Sequence, residues 1–367
     1  MSNVFDYITW RGDLSFAQDD INCIDALVFS RLSYIPFDGI VPHCLLTAMT
    51  LKQASDIFSP DTCNGEILWS KDPDFFKAVA NSKRFCDVQV SGYINSIDYD
   101  SKMQFSALVF TINRDLHFVT FRGTDSSFVG WEEDFNMFIA PTLPSQKRAL
   151  KYFTEISRML DGEFMLAGHS KGGNLALYSA MNCGGELQKR IKAVYNFDGP
   201  GFSSELLNFD GYENIKSRVH SFVPQSSVFG MMLEHDEDFS IIKSNVKSFL
   251  QHDLYSWEVV GKDFIYLDER TNSSYFIDHT LETFIEKMTD EEKANFIAAF
   301  FKILEGSHNK TFKEIQNSPL SSSALMIRSL KNLDKNNRSA IGKAIVKAFK
   351  SAKENFSDIN KKSHRKI

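Results

Sequence analysis

The stretch Phe164-Met165-Leu166-Ala167-Gly168-His169-Ser170-Lys171-Gly172-Gly173-Asn174-Leu175-Ala176 decides the fold. It opens as an apolar strand, passes through G-x-S-x-G at Gly168, Ser170 and Gly172, and leaves as a helix of small residues. The motif alone is weak, because three Gly and Ser positions match often by chance. The strand before it and the helix after it give it meaning. A sharp strand-to-helix turn projects the Ser170 hydroxyl above the sheet edge, and flanking glycines keep Cβ atoms out of the crowded contact. The start of the helix brings positive partial charge and the Lys171 N–H to a developing oxyanion. This implies a nucleophilic Ser170. The Lys171 side chain is not its base, since adjacent residues at such a turn point apart.

Working outward, the chain alternates. A helix over Ser145–Leu160 precedes the strand Glu163–Ala167, and a helix over Gly172–Cys183 precedes the strand Ala193–Phe197. Arg218–Val223 follows as another strand. Such alternation predicts an α/β fold with a doubly wound, mostly parallel sheet. Upstream, Val88–Tyr99, Gln104–Asn113 and Leu116–Phe121 read as strands, bounded by turn residues. The first 50 residues read as helical, with Asp20 or Asn22 capping a helix through Ile24–Leu32. Beyond Trp257 a hairpin is expected, Phe264–Asp268 against Tyr275–Ile277. Helices then follow, with loops at Gly306–Asn309 and Asn317–Ser323. The expected division is a main domain over 1–280 and a helical extension over 281–367.

Composition excludes several classes. With 43% hydrophobic residues the chain can bury a large core, and its 33 Phe point to aromatics there. No stretch approaches the roughly 20 apolar residues of a membrane span. The opening MSNVFDYITWRGD has neither a basic nor an apolar signal region, which predicts a cytoplasmic protein. The cysteines, Cys23, Cys44, Cys63, Cys86 and Cys183, form no C-x-x-C pair and read as free thiols. No H-E-x-x-H or clustered ligand spacing appears, so neither a metal nor another cofactor is expected. From Arg328 onward there are 12 Lys/Arg against 3 Asp/Glu, while the whole chain carries −6. An acidic body argues against nucleic acid as a partner.

The phrases "VTFRGTD" (Val119–Asp125), "GWEEDF" (Gly130–Phe135) and "AGHSKGGNLAL" (Ala167–Leu177) resemble the class 3, fungal triglyceride type, lipases. Those enzymes carry F-R-G-[ST], W-x-x-D and G-H-S-x-G-G in this order. The chain is also similar to a bacterial family of uncharacterised, lipase-like proteins. The resemblance spans roughly residues 105 to 255. It implies an α/β-hydrolase fold, a lipase- or esterase-like serine hydrolase, and an oxyanion role for Thr124. It also implies a small lid over Asp125–Trp131, containing Phe128 and Val129. Arg122 reads better as a structural ion pair than as a substrate ligand.

Among His220, His235, His252 and His279, the segment Gln251-His252-Asp253-Leu254-Tyr255 resembles the one carrying the base in class 3 lipases. This implies His252, with His235 as runner-up. The acid departs from the family. Ser221-Phe222-Val223-Pro224 stands where that group has D-x-V-P, and a serine cannot stabilise an imidazolium as a carboxylate does. Asp198, at the end of the preceding strand, resembles the acid of pancreatic-type lipases. The competing reading is an aspartate closing a Gly-Pro turn. The order Ser170, Asp198, His252 fits the hydrolase order. Together these readings predict a serine hydrolase acting on a carboxylic, lipid-like ester through an acyl-enzyme on Ser170. A thioesterase or peptidase using the same site remains open, as does a hydrolase-fold binding or scaffold protein without catalysis. Ile341, Ile345, Phe349, Ala352 and Phe356 form an apolar stripe flanked by lysines. It could pack on the body or touch an anionic membrane surface.

Overall fold

The computed structural model describes residues 2–61, 63–203, 210–235, 237–305, 311, 339, 341–344, 346–347 and 351. The chain divides into two compact units. The first comprises Met1–Ser96, Phe105–Gly123 and Pro144–Arg270, and the second Ile97–Gln104, Thr124–Leu143 and Thr271–Ile367.

The fold is α/β, on a mostly parallel sheet. Its strands are β1 (Met49–Thr50), β2 (Gln89–Asp98), β3 (Met103–Asn113), β4 (Leu116–Phe121), β5 (Glu163–His169), β6 (Ile191–Phe197), β7 (Val219–Pro224), β8 (Phe239–Ile242) and, after two short strands, β11 (Tyr266–Leu267). They lie in that order across the sheet. β4 through β8 are parallel, whereas β1, β3 and β11 pair antiparallel with β2, β4 and β8. Gly168 of β5 sits opposite Phe121, His169 opposite Phe197, and Phe197 opposite Phe222. The carboxyl ends of four strands therefore converge, which is where open α/β sheets place their sites.

Alternation along the strands feeds two faces. Phe118 of β4, Met165 and Ala167 of β5 and Tyr195 of β6 join a core with the N-terminal helices α1 (Val4–Arg11), α2 (Cys23–Leu32), α3 (Leu51–Ile57) and α4 (Asp72–Asn81). Phe29 of α2 stands at the centre, 4.8 Å from Phe110 and 4.9 Å from Phe118 between ring centroids. Each such fully buried Phe contributes about 1.5–3 kcal/mol by leaving water. On the other face α6 (Pro144–Met159) and α7 (Lys171–Asn182) pack together, with α7 against β5 and β6. Asn22 caps α2 with a full capping box, its side chain accepting from the Ile24 and Asp25 N–H groups. After α2 the chain from Ser33 to Ala48 is non-helical, short of the helical reading of the first 50 residues.

The expected hairpin is overturned. Tyr275–Ile277 forms no hairpin strand; it lies in the helix Asn272–Glu286, whose Thr271 cap accepts from the Ser274 N–H. β11 pairs with β8 instead, and β9 (Val259–Val260) pairs with β10 (Asp263–Phe264). The apolar spacing of Phe276 and the residues after it serves a helix, and the cap decides its start.

In the second unit, α5 (Phe128–Asn136) packs on the helix Asp290–Glu305, burying Phe128 with Ile297, Phe301 and Leu304. Phe128 and Val129 are thus buried in the first turn of a helix. Among the described residues no helix is long and apolar enough to cross a membrane. Ile345, Phe349, Ala352 and Phe356 of the tail stripe, and the loops expected at Gly306–Asn309 and Asn317–Ser323, lie outside the described residues.

Candidate active site

Ser170 links β5 to α7 with φ +57° and ψ −134°, a conformation L-residues rarely adopt. Its N–H donates to the Phe197 carbonyl at 2.9 Å, which ties the turn to the end of β6. A Cβ on Gly168 would lie 2.1 Å from the Gly172 backbone, so strand and helix approach closely enough to require glycine there. The strain at Ser170 is of the order of 1–3 kcal/mol and holds the hydroxyl clear of the sheet. Lys171 is the first residue of α7, where the helix start concentrates positive partial charge.

Asp198 follows β6, also at positive φ, +52°. Its N–H donates to the Phe222 carbonyl at 2.8 Å, fixing it beside β7. The carboxylate is buried, and His252 Nδ1 lies 2.6 Å from Oδ2. Oδ1 accepts from the Ser227 hydroxyl and, at 3.2 Å, from the Gly230 N–H. A carboxylate oxygen accepts, so His252 donates to Asp198 from Nδ1. The imidazole lies between two rings, with centroids 4.3 Å from His169 and 4.4 Å from Phe229.

Ser221 of β7 faces other partners. Its hydroxyl donates to Glu237 Oε1 at 3.1 Å, and His235 Nδ1 lies 3.2 Å from the same oxygen. Burial pushes the Glu237 carboxyl up, but the His235 and Ser221 hydrogen bonds and the His235 charge bring it below its ordinary value. The structure thus pairs His252 with Asp198 and His235 with Glu237. Arg122 Nη2 donates to Asn95 Oδ1 at 3.1 Å, and Asn95 donates to Asp38. Thr124 begins a segment of the second unit and donates its hydroxyl to Asp134.

Several contributors had no local signal. His169, 1% exposed, lies between Tyr34 and the base loop: Nδ1 is 2.8 Å from the Tyr34 hydroxyl and Nε2 is 2.8 Å from the His252 carbonyl. Burial, with the His252 and Arg31 charges beside it, holds His169 well below the ordinary imidazole range. Beneath it Arg31 is buried, donating to Asp72 from Nε at 2.9 Å and also from Nη2. The Arg31 guanidinium lies 3.8 Å from the centroid of Trp69 and 4.6 Å from that of Tyr255. The Tyr255 hydroxyl donates to the same Asp72 oxygen at 2.8 Å. Among the described residues, no group of three or more His, Cys, Asp or Glu could hold a metal ion.

Residues 79–302 match a family of proteins described as Mbeg1-like. The chain belongs to the Mbeg1-like family. Among solved structures, this Mbeg1-like chain is similar to M37 lipase at 15% identity, covering 56% of this chain and 68% of that one, with a TM-score of 0.38. It is similar to an N225Q mutant form of MDLA from Penicillium cyclopium at 15% identity, covering 68% and 87%, with a TM-score of 0.36. It is similar to Rhizomucor miehei lipase, in a propeptide complex, at 14% identity, covering 69% and 74%, with a TM-score of 0.36. No curated protein matches the chain.

Proposed function

We propose that this chain is a serine hydrolase that cleaves a carboxylic, lipid-like ester through an acyl-enzyme on Ser170, on a sheet of the α/β-hydrolase kind. The observation that carries this reading is the conjunction of a left-handed Ser170 between strand and helix with a hydrogen-bonded Asp198–His252 pair at the same sheet end. His252 Nε2 takes the Ser170 proton as Oγ attacks the ester carbonyl. Asp198 stabilises the imidazolium. The Lys171 N–H, at the start of α7, donates to the oxyanion. The second donor is assigned to Thr124 on its position in the sequence. The alcohol leaves with the proton from His252. Water, deprotonated by His252, then releases the carboxylic acid and restores Ser170. The lipid-like class is supported by Phe229, Met231 and Met232, which are partly exposed, with Phe229 against the base. Phe229 gives the imidazole an apolar neighbour against which an acyl or alkyl chain can lie.

The test is labelling by a fluorophosphonate together with turnover of p-nitrophenyl butyrate and octanoate. The wild-type chain is expected to be labelled and active, and Ser170→Ala to lose both while keeping its thermal transition. A folded wild-type chain that neither labels nor turns over would leave a binding or scaffold role. Faster turnover of thioesters than of oxygen esters would reassign the substrate class.

A further inference from the structure

We propose that His169, held in one tautomer by Tyr34, is a positioning residue for the base His252. The proposal rests on the hydrolase reading above.

The chemistry of the partners fixes the proton. The His252 carbonyl can only accept, so the His169 nitrogen 2.8 Å from it, Nε2, carries the hydrogen and donates. Nδ1 is then the lone-pair nitrogen and accepts from the Tyr34 hydroxyl at 2.8 Å. Both ring nitrogens are occupied, and the ring cannot flip without breaking both hydrogen bonds. His169 therefore joins three things at once. It is covalently next to the strained Ser170, it grips the backbone of His252, and its ring lies 4.3 Å from the base imidazole.

Tyr34 extends the brace to the end of β4. A Cβ on Gly123 would sit 2.2 Å from the Tyr34 hydroxyl and 3.1 Å from the Ser170 Cβ. The hydroxyl is lodged where the end of β4, the nucleophile turn and the base loop meet. His169 also stays neutral while its neighbour gains a proton. Burial lowers its proton affinity most, and the His252 and Arg31 charges lower it further against the His252 carbonyl bond, which raises it. A second imidazolium beside His252 would oppose the charge that Asp198 stabilises.

The experiment compares His169→Phe, His169→Gln and Tyr34→Phe with the wild-type chain and with Ser170→Ala. Phe keeps a ring but no donor, whereas Gln can present its amide N–H to the His252 carbonyl. His169→Phe is expected to lower kcat about 10- to 100-fold with KM within about twofold, as small misplacements of reacting groups do. It should also change the kcat/KM pH profile, because a loosened His252 is less well held by Asp198. His169→Gln should recover most of kcat, and Tyr34→Phe should fall between. Independently of turnover, the downfield proton resonance of the His252–Asp198 pair should be sharp in the wild type and His169→Gln but broadened in His169→Phe. Wild-type kcat, pH profile and resonance in His169→Phe would overturn the proposal. So would a loss in His169→Phe that His169→Gln fails to recover. If His169→Phe does not fold, a wild-type resonance and pH profile in Tyr34→Phe would overturn it equally. Retained turnover in Ser170→Ala would remove the hydrolase reading alone, leaving the resonance to decide whether His169 positions His252.

Discussion

His252 Nδ1 lies 2.6 Å from Asp198 Oδ2, while Ser221 donates to Glu237. The carboxylate beside the imidazole thus comes from the end of β6 rather than from β7. The two strands are parallel neighbours, with Phe197 opposite Phe222 and the Asp198 N–H on the Phe222 carbonyl.

Asp198→Asn should test this relationship most directly. The amide cannot stabilise an imidazolium, and it can turn a donor toward His252 Nδ1, which favours the wrong tautomer. A loss in kcat on the order of 10⁴ is expected by analogy with the serine-protease aspartate. Steady-state kinetics with p-nitrophenyl butyrate would measure it. An unchanged kcat would return Asp198 to the role of a turn residue.

His252→Ala should abolish turnover as completely as Ser170→Ala, because members of a triad act as a unit. His235→Ala should keep most of it, since His235 is bound to Glu237. The opposite ranking in the same assay would transfer the base role to His235.

Stability should depend on pH through His169. Its folded pKa is depressed, so above the unfolded value near 6.5 both states are neutral there and its contribution is fully present. As pH falls below 6.5 the unfolded chain takes up the proton first. Stability is then lost progressively down to the folded pKa. His117 and His220 are depressed by burial and add slopes of the same sign. Thermal transitions from pH 8 to pH 4 should show His169→Gln losing less stability than the wild type over this range. Parallel curves would show that His169 does not contribute.

Asp72→Asn should cost about 3–5 kcal/mol, because it leaves the Arg31 charge buried without its carboxylate. Urea unfolding would give the value. Tyr255, which also donates to Asp72, lies three residues from His252, so kcat should fall with stability. A loss below about 1 kcal/mol would mean that the pair is dispensable, as surface pairs are.

The parallel sheet and the turn at Ser170 were legible because both are local. Strand, glycine spacing and helix follow one another within thirteen residues, and alternation marks the buried faces. Asp198 was legible only as a carboxylate at a strand end, and His252 only through a resembling phrase. Tyr34 was not legible, since it meets His169 from 135 positions away. The hairpin expected at Tyr275–Ile277 failed because a short apolar run serves strand or helix equally until its cap is identified.

The brace under the base also bears on how small a working piece of this chain can be. Residues 79–302 match the family, and they contain Ser170, Asp198 and His252. They lack Tyr34, Arg31, Trp69 and Asp72, which lie before them in sequence. A fragment trimmed to the matching span would keep Ser170, Asp198 and His252 and lose the Tyr34 contact on His169 and the Asp72 contact on Tyr255. It would also expose the sheet face that Phe29 covers. The first eighty residues therefore support the proposed site, and a piece that keeps its geometry should begin ahead of α1.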